Sequence, residues 1–475
     1  MVAPSSAIHV RRPLPAIAAW VLFDPAAQPF FTLVTTFVFA PYFAARVAPD
    51  PVAGQALWGY ATGIAGFLIA VLSPILGAVA DATGPRKPWI AGFSILLIAG
   101  SAALWFTAPR SADSITIALV AFAIGTIGAE FATVFTNAMM PDLVPPHQLG
   151  RLSGIGWAAG YIGGLISLVI VLGLFAAQPE TGRTFFGLAP AFGLDPATYE
   201  GDRASGPFSA IWYVVLVLPL FLLTPDQKRV LPLAAAVRVG LADLSTTLTS
   251  VRRHANAARY LAANMVYTDG LIALTAFGGI YASGTFGWSA VELGLFGILL
   301  TITGTIGAFA GGWLDDRLGP KWVIEVTLAV FILTAIAILS IDVDHVLFVI
   351  KVAPPSPGDG LFASVGEKAY LALGALIGAA AGPLQASSRT LLVRVSPREQ
   401  ITQFFGLYAL TGKATSFVAP TLVGVLTTLA GSQRLGISVL VLFFAVGLLL
   451  MQRVKEGESS RESQAPNRGT VHGPR

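Results

Sequence analysis

Four ionisable side chains interrupt long apolar stretches of the chain, where charge is otherwise avoided: Asp24, Glu130, Asp269 and Lys413. Buried carboxylates can take up and release protons, and a lysine ammonium can hold the carboxylate of a solute. A site that offers both charges would suit an amino acid. The alternative is that some of the four pair with one another as structural ion pairs, without touching a solute.

Uncharged polar side chains occur in the same apolar stretches: Gln28, Asn137, Asn264, Tyr267, Gln385 and Tyr408. They could hydrogen-bond a solute, or they could join helices to one another. Pro25 and Pro29 closely follow Asp24 and can break a helix so that backbone carbonyls are exposed, although a packed kink is the commoner outcome.

The composition indicates what kind of element must carry these side chains. Of 475 residues, 55% are hydrophobic and 11% are charged, and the mean hydropathy is +0.74. A soluble domain does not need so much apolar surface. The chain has no cysteine, which excludes disulfides, thiolate catalysis and cysteine-ligated metals, and we expect neither a cofactor nor a metal. The composition therefore predicts an all-α membrane protein.

Twelve stretches are long enough to cross the hydrocarbon core, which takes roughly 20 apolar residues. They are approximately 17–43, 57–79, 89–107, 115–140, 152–176, 206–223, 257–281, 289–314, 321–341, 369–392, 404–429 and 435–451. Each of the four ionisable residues lies roughly 10 to 12 residues from one end of its stretch, or about 16 Å along a helix. All four are therefore expected near the middle of the bilayer.

The predicted spans fall into two sets of six, divided by a long polar interval. The expected organisation is an N-terminal segment (1–16), a six-helix bundle (17–224), a linker (225–256), a second six-helix bundle (257–452) and a polar tail without structure (453–475). The linker has apolar residues at spacings of three and four, which predicts an amphipathic helix. It could lie along the membrane surface, or it could be a linker helix with no partner.

Lysine and arginine are concentrated in the loops on one side of the predicted bundle. Basic residues that flank helices are retained in the cytoplasm, so both chain ends are expected there. The net charge of +4 then follows from membrane topology. No compact basic domain is present to bind a nucleic acid.

A short signature occurs twice. The segment GAVADATGPRK contains Gly77, Asp81, Gly84, Arg86 and Lys87, and 235 positions later GWLDDRLGPK contains Gly312, Asp316, Gly319 and Lys321. Each copy follows one predicted span and precedes another, which indicates an internal duplication. The glycines permit a tight turn and close helix approach, while the charged residues can cap helix ends. The alternative is an ordinary capped loop.

Small residues at helical spacing predict where helices approach closely. The pairs Gly59/Gly63 and Gly307/Gly311 and the series Gly156/Gly160/Gly164 each put glycine on one helix face. Such faces let backbones pack together.

Two duplicated six-helix bundles, each with the glycine-aspartate signature after its second span, resemble the major facilitator superfamily over nearly the whole chain. The segments WVLFDPAAQPF from Trp20, ALWGY from Ala56 and REQITQFFGLYALTGKATSFVAP from Arg398 resemble its vacuolar-effluxer-like branch. This branch includes fungal proteins associated with amino-acid release and many bacterial members. The chain departs from the branch's usual Asp-Trp-Ala-Asn by having Pro25 and Ala27.

The resemblance implies a secondary transporter whose halves rock about a central cavity. The implied partners are a small polar solute, with amino acids favoured, and protons carried through Asp24 or Glu130, in the plasma membrane of a bacterium. No obligate protein partner is implied. The signature residues would latch the outward-facing state. The alternative from a different class is a membrane sensor or scaffold with a transporter's fold and no flux.

Overall fold

The computed structural model describes residues 13–49, 51–109, 111–178, 181–249, 254–286, 288, 290–342, 344–353 and 360–456. Most of the predicted N-terminal segment and of the predicted tail lies outside these residues. The side chain of Lys413 also lies outside the described part of the structure, although its backbone belongs to a helix.

Helices form nearly all of the described structure. In chain order they are α1 (Leu14–Val47, in several pieces), α2 (Pro51–Thr83), α3 (Lys87–Ala103), α4 (Ala112–Ala138), α5 (Leu149–Ile170), α6 (Ser205–Leu223), α7 (Leu233–Thr249), α8 (Ala255–Phe286), α9 (Ala290–Leu318), α10 (Pro320–Leu339), α11 (Val365–Val395), α12 (Ile401–Ala414), α13 (Val418–Ala430) and α14 (Val439–Gln452). Two short hairpins complete the regular structure: β1 (Ala177–Gln178) with β2 (Arg183–Thr184), and β3 (His345–Val346) with β4 (Ile350–Lys351). We refer to α1–α6 as the N-terminal half and to α8–α14 as the C-terminal half.

Among the described residues, ten helical segments are long and apolar enough to cross a membrane. The other two predicted spans coincide with α8 and with the pair α12 and α13. The 32-residue α8 is long enough but more polar, because it carries Arg259, Asn264 and Asp269. The predicted stretch 404–429 is broken between Ala414 and Val418. The arrangement is consistent with twelve spans, two of which are irregular.

The break between α12 and α13 follows from Pro420. Proline has no N–H to donate to the carbonyl four residues earlier, and its ring clashes with that carbonyl. The carbonyl concerned belongs to Ser416, which lies in the turn between the two helices. The predicted stretch 404–429 therefore consists of two helices in place of one.

Prolines also interrupt α1. The segment Phe23–Pro29 is followed by a π-helical stretch, Phe30–Phe37. Pro29 cannot donate to the carbonyl of Pro25, and the indole Nε1 of Trp212 on α6 donates to that oxygen instead, at 2.8 Å. The carbonyl freed by the proline is therefore used in packing, which is the commoner of the two outcomes expected.

The halves pack closely at the membrane face that carries the two signatures, which we call the signature face. A Cβ atom at Gly77 on α2 would lie 2.6 Å from the Thr402 carbonyl oxygen on α12. A Cβ atom at Gly154 on α5 would lie 2.5 Å from the Ala308 carbonyl oxygen on α9. Only glycine permits such approach.

The halves do not meet in this way towards the opposite face. Gly59, Gly63 and Gly66 continue the same stripe of α2 and would have nothing within 4 Å of an added Cβ atom. The close approach predicted for Gly59 and Gly63 was therefore wrong for this conformation. It is confirmed for Gly307 and Gly311, which pack against Ala379 and Pro383 on α11.

The linker helix α7 packs against α2, which contradicts the expectation of a linker helix with no partner. Ala236 is fully buried, and a Cβ atom at Gly240 would lie 2.8 Å from the backbone of Ala78 on α2. The backbone N–H of Val230 donates to the Thr83 carbonyl at 2.9 Å. Part of α7 therefore packs on α2, whereas Leu233, Val237 and Leu241 on the same helix remain exposed.

Candidate functional site

An ion pair joins the two halves inside the membrane-spanning region. Asp24 lies on α1 and Arg389 on α11, 365 positions later, and Arg389 Nη1 lies 3.2 Å from Asp24 Oδ2 and 3.5 Å from Oδ1. The Arg389 side chain is 4% exposed and that of Asp24 is 18% exposed. The acid predicted at this position therefore has a buried cationic partner.

The other N–H groups of Arg389 are also engaged. Its Nε donates to Ser153 Oγ at 3.0 Å, its Nη2 to the Ser153 carbonyl at 2.7 Å, and its Nη1 to Asn137 Oδ1 at 3.1 Å. The rings of Trp20 and Trp157 lie 5.9 Å and 5.3 Å from the guanidinium carbon. A buried arginine needs such a set of acceptors to remain charged.

Glycines on α5 make room for this ion pair. A Cβ atom at Gly156 would collide with Asp24 Oδ2 and lie 3.2 Å from Arg389 Nη2. At Gly160 it would lie 3.5 Å from Asp24 Cβ and 3.7 Å from Gln28 Oε1. The packing predicted for this glycine series is confirmed, and it brings α1 and α11 against α5.

The two predicted glutamine ligands lie beside α5 as well. Gln385 on α11 donates through Nε2 to the hydroxyl of Tyr161 on α5 at 3.0 Å, which is a further contact between the halves. Gln28 donates to Thr32 Oγ1 at 3.4 Å within α1. Gln28, Gln385 and the Asp24–Arg389 pair therefore share one polar region around α5.

Asn264 and Tyr267 make hydrogen bonds within the protein. The hydroxyl of Tyr267 lies 2.7 Å from Ser388 Oγ, next to Arg389 in sequence, and Tyr260 donates to the Ser388 carbonyl at 2.6 Å. Asn264 Oδ1 accepts from Thr268 Oγ1 at 3.4 Å. These contacts agree with the reading that polar residues join helices, here α8 to α11.

The remaining ionisable residues are less closely connected to this pair. Asp269 on α8 is 2% exposed. Glu130 lies on α4 and is partly buried. Because the Lys413 side chain is outside the described part of the structure, convergence of three acids with one lysine stays a prediction. Among the described residues no group of three or more metal-ligating side chains is present.

The first signature places a carboxylate at the beginning of α12. Asp81 accepts from the backbone N–H of Thr402 at 3.1 Å and from that of Gln403 at 2.8 Å. A carboxylate at a helix N-terminus meets unpaired N–H groups and the positive end of the helix dipole. Asp81 is in the N-terminal half and α12 in the C-terminal half, so this contact joins the halves at the signature face.

Arg86 ties the same contact to the short helix Met140–Leu143 that follows α4. Its Nη2 lies 3.4 Å from Asp81 and its Nη1 3.4 Å from Asp142, while Nε donates to Thr402 Oγ1 at 3.1 Å. Its backbone N–H donates to Asp226 Oδ1 at 2.9 Å. Arg86 is 3% exposed, so it is a buried connector.

The second signature mirrors the first at the beginning of α5. Asp316 lies beside the backbone N–H groups of Gly150 and Arg151. Its neighbour Asp315 is fully buried and pairs with Arg394 at 3.5 Å. The second glycine of each copy has positive φ, +96° at Gly84 and +91° at Gly319, so the duplication extends to backbone conformation.

The signature lysines act within their own halves. Lys87 Nζ donates to the Phe221 carbonyl at the end of α6, at 2.8 Å. Lys321 Nζ donates to the Val454 carbonyl just beyond α14, also at 2.8 Å, and pairs with Glu325 at 3.6 Å. Lys321 is aligned with Arg86 by sequence but corresponds to Lys87 by contact. It makes no described bond to Asp316.

Sequence reasoning missed several of these residues. Arg389 carries the same signal as Asp24, a lone charge within an apolar span. Asp315 stands directly beside the signature aspartate. Asp142 and Arg394 flank the spans at the signature face. Charged residues are common at such positions, so the sequence does not single these two out.

One cavity of about 370 Å³ lies elsewhere, at the signature face between α2, α3 and the segment before α7. Its lining includes Thr83, Trp89 and Leu233. It is mostly apolar and does not contain the buried charges. For that reason we place the candidate site at Asp24 and Arg389.

Comparison with known proteins extends the resemblance seen in the sequence. The family model described as "Vacuole effluxer Atg22 like" matches residues 44–464. The uncharacterized MFS-type transporter YxiO of Bacillus subtilis is 24% identical over 94% of this chain and 97% of its own length. Autophagy-related protein 22 of Cryptococcus neoformans is 25% identical over 66% of this chain, which spans about half (54%) of that relative.

Solved structures agree on the fold. The major facilitator superfamily transporter FucP, in an outward conformation, superposes with a TM-score of 0.66 at 16% identity, covering 93% of this chain and 98% of FucP. The human organic anion transporter MFSD10 gives 0.64 at 16% identity, covering 93% and 100%. The fold is that of the major facilitator superfamily, and the chain belongs to the vacuole effluxer Atg22-like family.

Proposed function

We propose that the chain is a secondary active transporter of a small polar solute, with amino acids favoured, that works by rocking of its two halves and is coupled to protons through Asp24. The observation that carries the proposal is the Asp24–Arg389 pair, which joins the halves inside the membrane-spanning region. The comparisons support transport, since a relative that matches nearly the whole chain is named an MFS-type transporter.

The charges of the pair match a zwitterion. An amino acid carries an ammonium that suits Asp24 and a carboxylate that suits the planar guanidinium of Arg389. Asp24 retains some exposure, whereas Arg389 is nearly covered. A solute that enters between them would replace one internal contact with two of its own.

Rocking is supported by the unequal contacts at the two faces. The glycine contacts of Gly77 and Gly154 close the signature face, whereas Gly59 and Gly63 lie apart from the other half. A conformation open at the signature face would need to break the Asp81 contacts with α12 and the Asp24–Arg389 pair. We propose that these contacts form the latch.

Proton coupling follows from the cost of separating the pair. Loss of one partner from a buried ion pair costs roughly 3–5 kcal/mol, because the other charge is left alone. A proton on Asp24 removes its charge and weakens its hold on Arg389, which keeps Asn137 and Ser153 as acceptors. The halves could then part at lower cost.

The orientation proposed from the basic residues is that the signature face is cytoplasmic and that both chain ends lie on that side, in the plasma membrane of a bacterium. The conformation described would then be outward-facing. FucP, whose solved structure is in an outward conformation, resembles it in fold.

The proposal is tested first by binding. Purified protein is scanned for thermal stability against amino acids, sugars, nucleosides and organic acids at two pH values, since a ligand that binds only the folded state stabilises it. We expect amino acids to stabilise and Arg389→Gln to remove the effect. Uptake of the stabilising solute into proteoliposomes along a proton gradient then tests transport. Stabilisation without flux would favour the sensor.

One observation favours that second candidate. The linker helix α7 packs on α2 beside the signature, so movement of α2 would be transmitted to a segment between the halves. A sensor would use this connection to signal. Flux in proteoliposomes separates the two functions.

A further inference from the structure

Asp269 is a buried carboxylate with an unused oxygen. It is 2% exposed, and its Oδ1 accepts no hydrogen bond from any described residue. A carboxylate removed from water without a partner is strongly destabilised. The sites considered above, around Asp24 and around the signatures, do not account for this residue.

A second buried oxygen lies next to it. The hydroxyl of Thr415 lies beside the Asp269 carboxylate, where it can donate to that group, and no described residue donates a hydrogen bond to the buried Thr415 Oγ1. Thr415 is the residue at which α12 ends. Two neighbouring buried oxygens that accept no hydrogen bond from a described residue suggest a positively charged ligand that binds oxygen.

The broken span adds a further source of oxygen. The last four carbonyls of a helix have no partner within that helix. The end of α12 therefore supplies the negative end of a helix dipole within the membrane-spanning region. Transporters use unwound backbone and half-helix C-terminal ends to coordinate sodium ions.

The charge balance selects a monovalent ion. The groups named above are one carboxylate, a neutral hydroxyl and backbone, and the described residues hold no cluster of three acidic or histidine side chains. Hard divalent cations are usually bound by more carboxylates or by several waters. One negative charge is balanced by one sodium ion.

We propose that Asp269, Thr415 and the backbone at the end of α12 bind a sodium ion. The ion joins α8 to the broken span in the C-terminal half. This site is separate from the Asp24–Arg389 pair, and binding of sodium requires neither flux nor protonation of Asp24. The proposal therefore goes beyond the proposed function and can fail independently of it.

The test is sodium binding by the purified full-length chain in detergent. Binding of radioactive sodium is measured directly, and thermal stability is compared in sodium chloride, potassium chloride and choline chloride at equal ionic strength. We expect saturable sodium binding, and a rise in Tm that sodium produces and choline does not. Asp269→Asn and Thr415→Val should each weaken sodium binding at least tenfold.

Thr411→Val is the matched control. The hydroxyl of Thr411 lies on the same helix and donates to the Tyr408 carbonyl at 2.9 Å, an ordinary bond within α12. This variant should bind sodium like the unmodified protein. If Asp269→Asn does not fold, isotope binding by the unmodified protein and by Thr415→Val still tests the proposal.

Three results would overturn the proposal. One is the absence of saturable sodium binding to the unmodified protein. Another is a rise in Tm that is equal in choline, which would be an ionic-strength effect. The third is unchanged sodium affinity in a folded Thr415→Val or Asp269→Asn protein. Sodium binding by a chain that transports nothing would contradict only the proposed function.

Discussion

Arg389 gains its importance from its partners, which no local sequence pattern contains. Asp24 could be selected from the sequence because a charge in an apolar span is anomalous by itself. Its partner lies 365 positions away, and Ser153 and Asn137 come from two further helices. Local spacing predicts which residues share a helix face, but the choice among distant charges depends on how helices pack.

The charge of Asp24 should be required for coupling. We expect Asp24→Asn to abolish proton-driven accumulation of the solute, with at least a tenfold loss, while some exchange remains. The amide can still accept a hydrogen bond from Arg389 but cannot carry a proton. Accumulation and counterflow are measured in proteoliposomes. Asp113→Asn makes the same change at an exposed position on α4 and should leave both unaffected. Undiminished uphill uptake by Asp24→Asn would contradict the role.

The space around the Asp24–Arg389 ion pair should not accommodate an additional methyl group. At Gly156 an added methyl group meets Asp24 Oδ2 and approaches Arg389 Nη2. We expect Gly156→Ala to lower the free energy of unfolding by about 1–3 kcal/mol, as overpacking does, and to reduce solute binding. Gly92→Ala on α3, where an added Cβ has nothing within 4 Å, is the control and should be neutral or stabilising. Equal stability of the two variants would mean that Asp24 moves aside easily.

At the scale of elements, the sequence predicted the apolar spans and the duplication better than their interruptions. The signature was recognised twice by residue type, and Gly84 and Gly319 indeed share a left-handed conformation. Aligning the two copies of the signature does not predict the lysine contacts, because Lys321 follows Pro320 directly while Lys87 follows Arg86. The end of α12 was not predicted from the sequence, because the apolar pattern is continuous there and a single proline breaks the helix.

Asp81 is expected to hold α2 against the beginning of α12. A charge at a helix N-terminus contributes about 0.3–2 kcal/mol, depending on burial. Asp81→Asn should therefore open the signature face more often, by up to about thirtyfold. Because the chain has no cysteine, Ser73→Cys on the buried face of α2 provides a single reporter. Its rate of maleimide labelling should rise in the Asp81→Asn background.

Glu325→Gln provides the control for this experiment. Glu325 pairs with Lys321 inside the C-terminal half, at 3.6 Å. Its loss removes a carboxylate without touching a contact between halves. The latch role of Asp81 would be refuted by equal labelling rates in both backgrounds.

For the whole molecule, rocking makes the two faces interdependent. Gly63 and Ser73 lie on one stripe of α2, the former facing open space and the latter packed near Gly406 on α12. If the halves move as units, opening at the signature face must close the opposite face. Simple loosening would expose both positions together.

We expect Asp81→Asn to change labelling at the two positions in opposite directions. A cysteine placed by Gly63→Cys should be labelled more slowly in this background, whereas one placed by Ser73→Cys should be labelled faster. Both rates are measured with the same maleimide in detergent. Parallel increases would indicate local unfolding and would argue against alternating access.

The two signature lysines have a mechanical consequence. Lys87, at the start of α3, donates a hydrogen bond to the end of α6. Lys321, near the start of α10, donates one to the chain just beyond α14. In each half, the lysine therefore joins the third helix to the end of the last helix. A force applied at Asp24 or Arg389 is therefore poorly absorbed by bending within one half. It acts mainly at the interface between the two halves, each of which moves as a stiff unit.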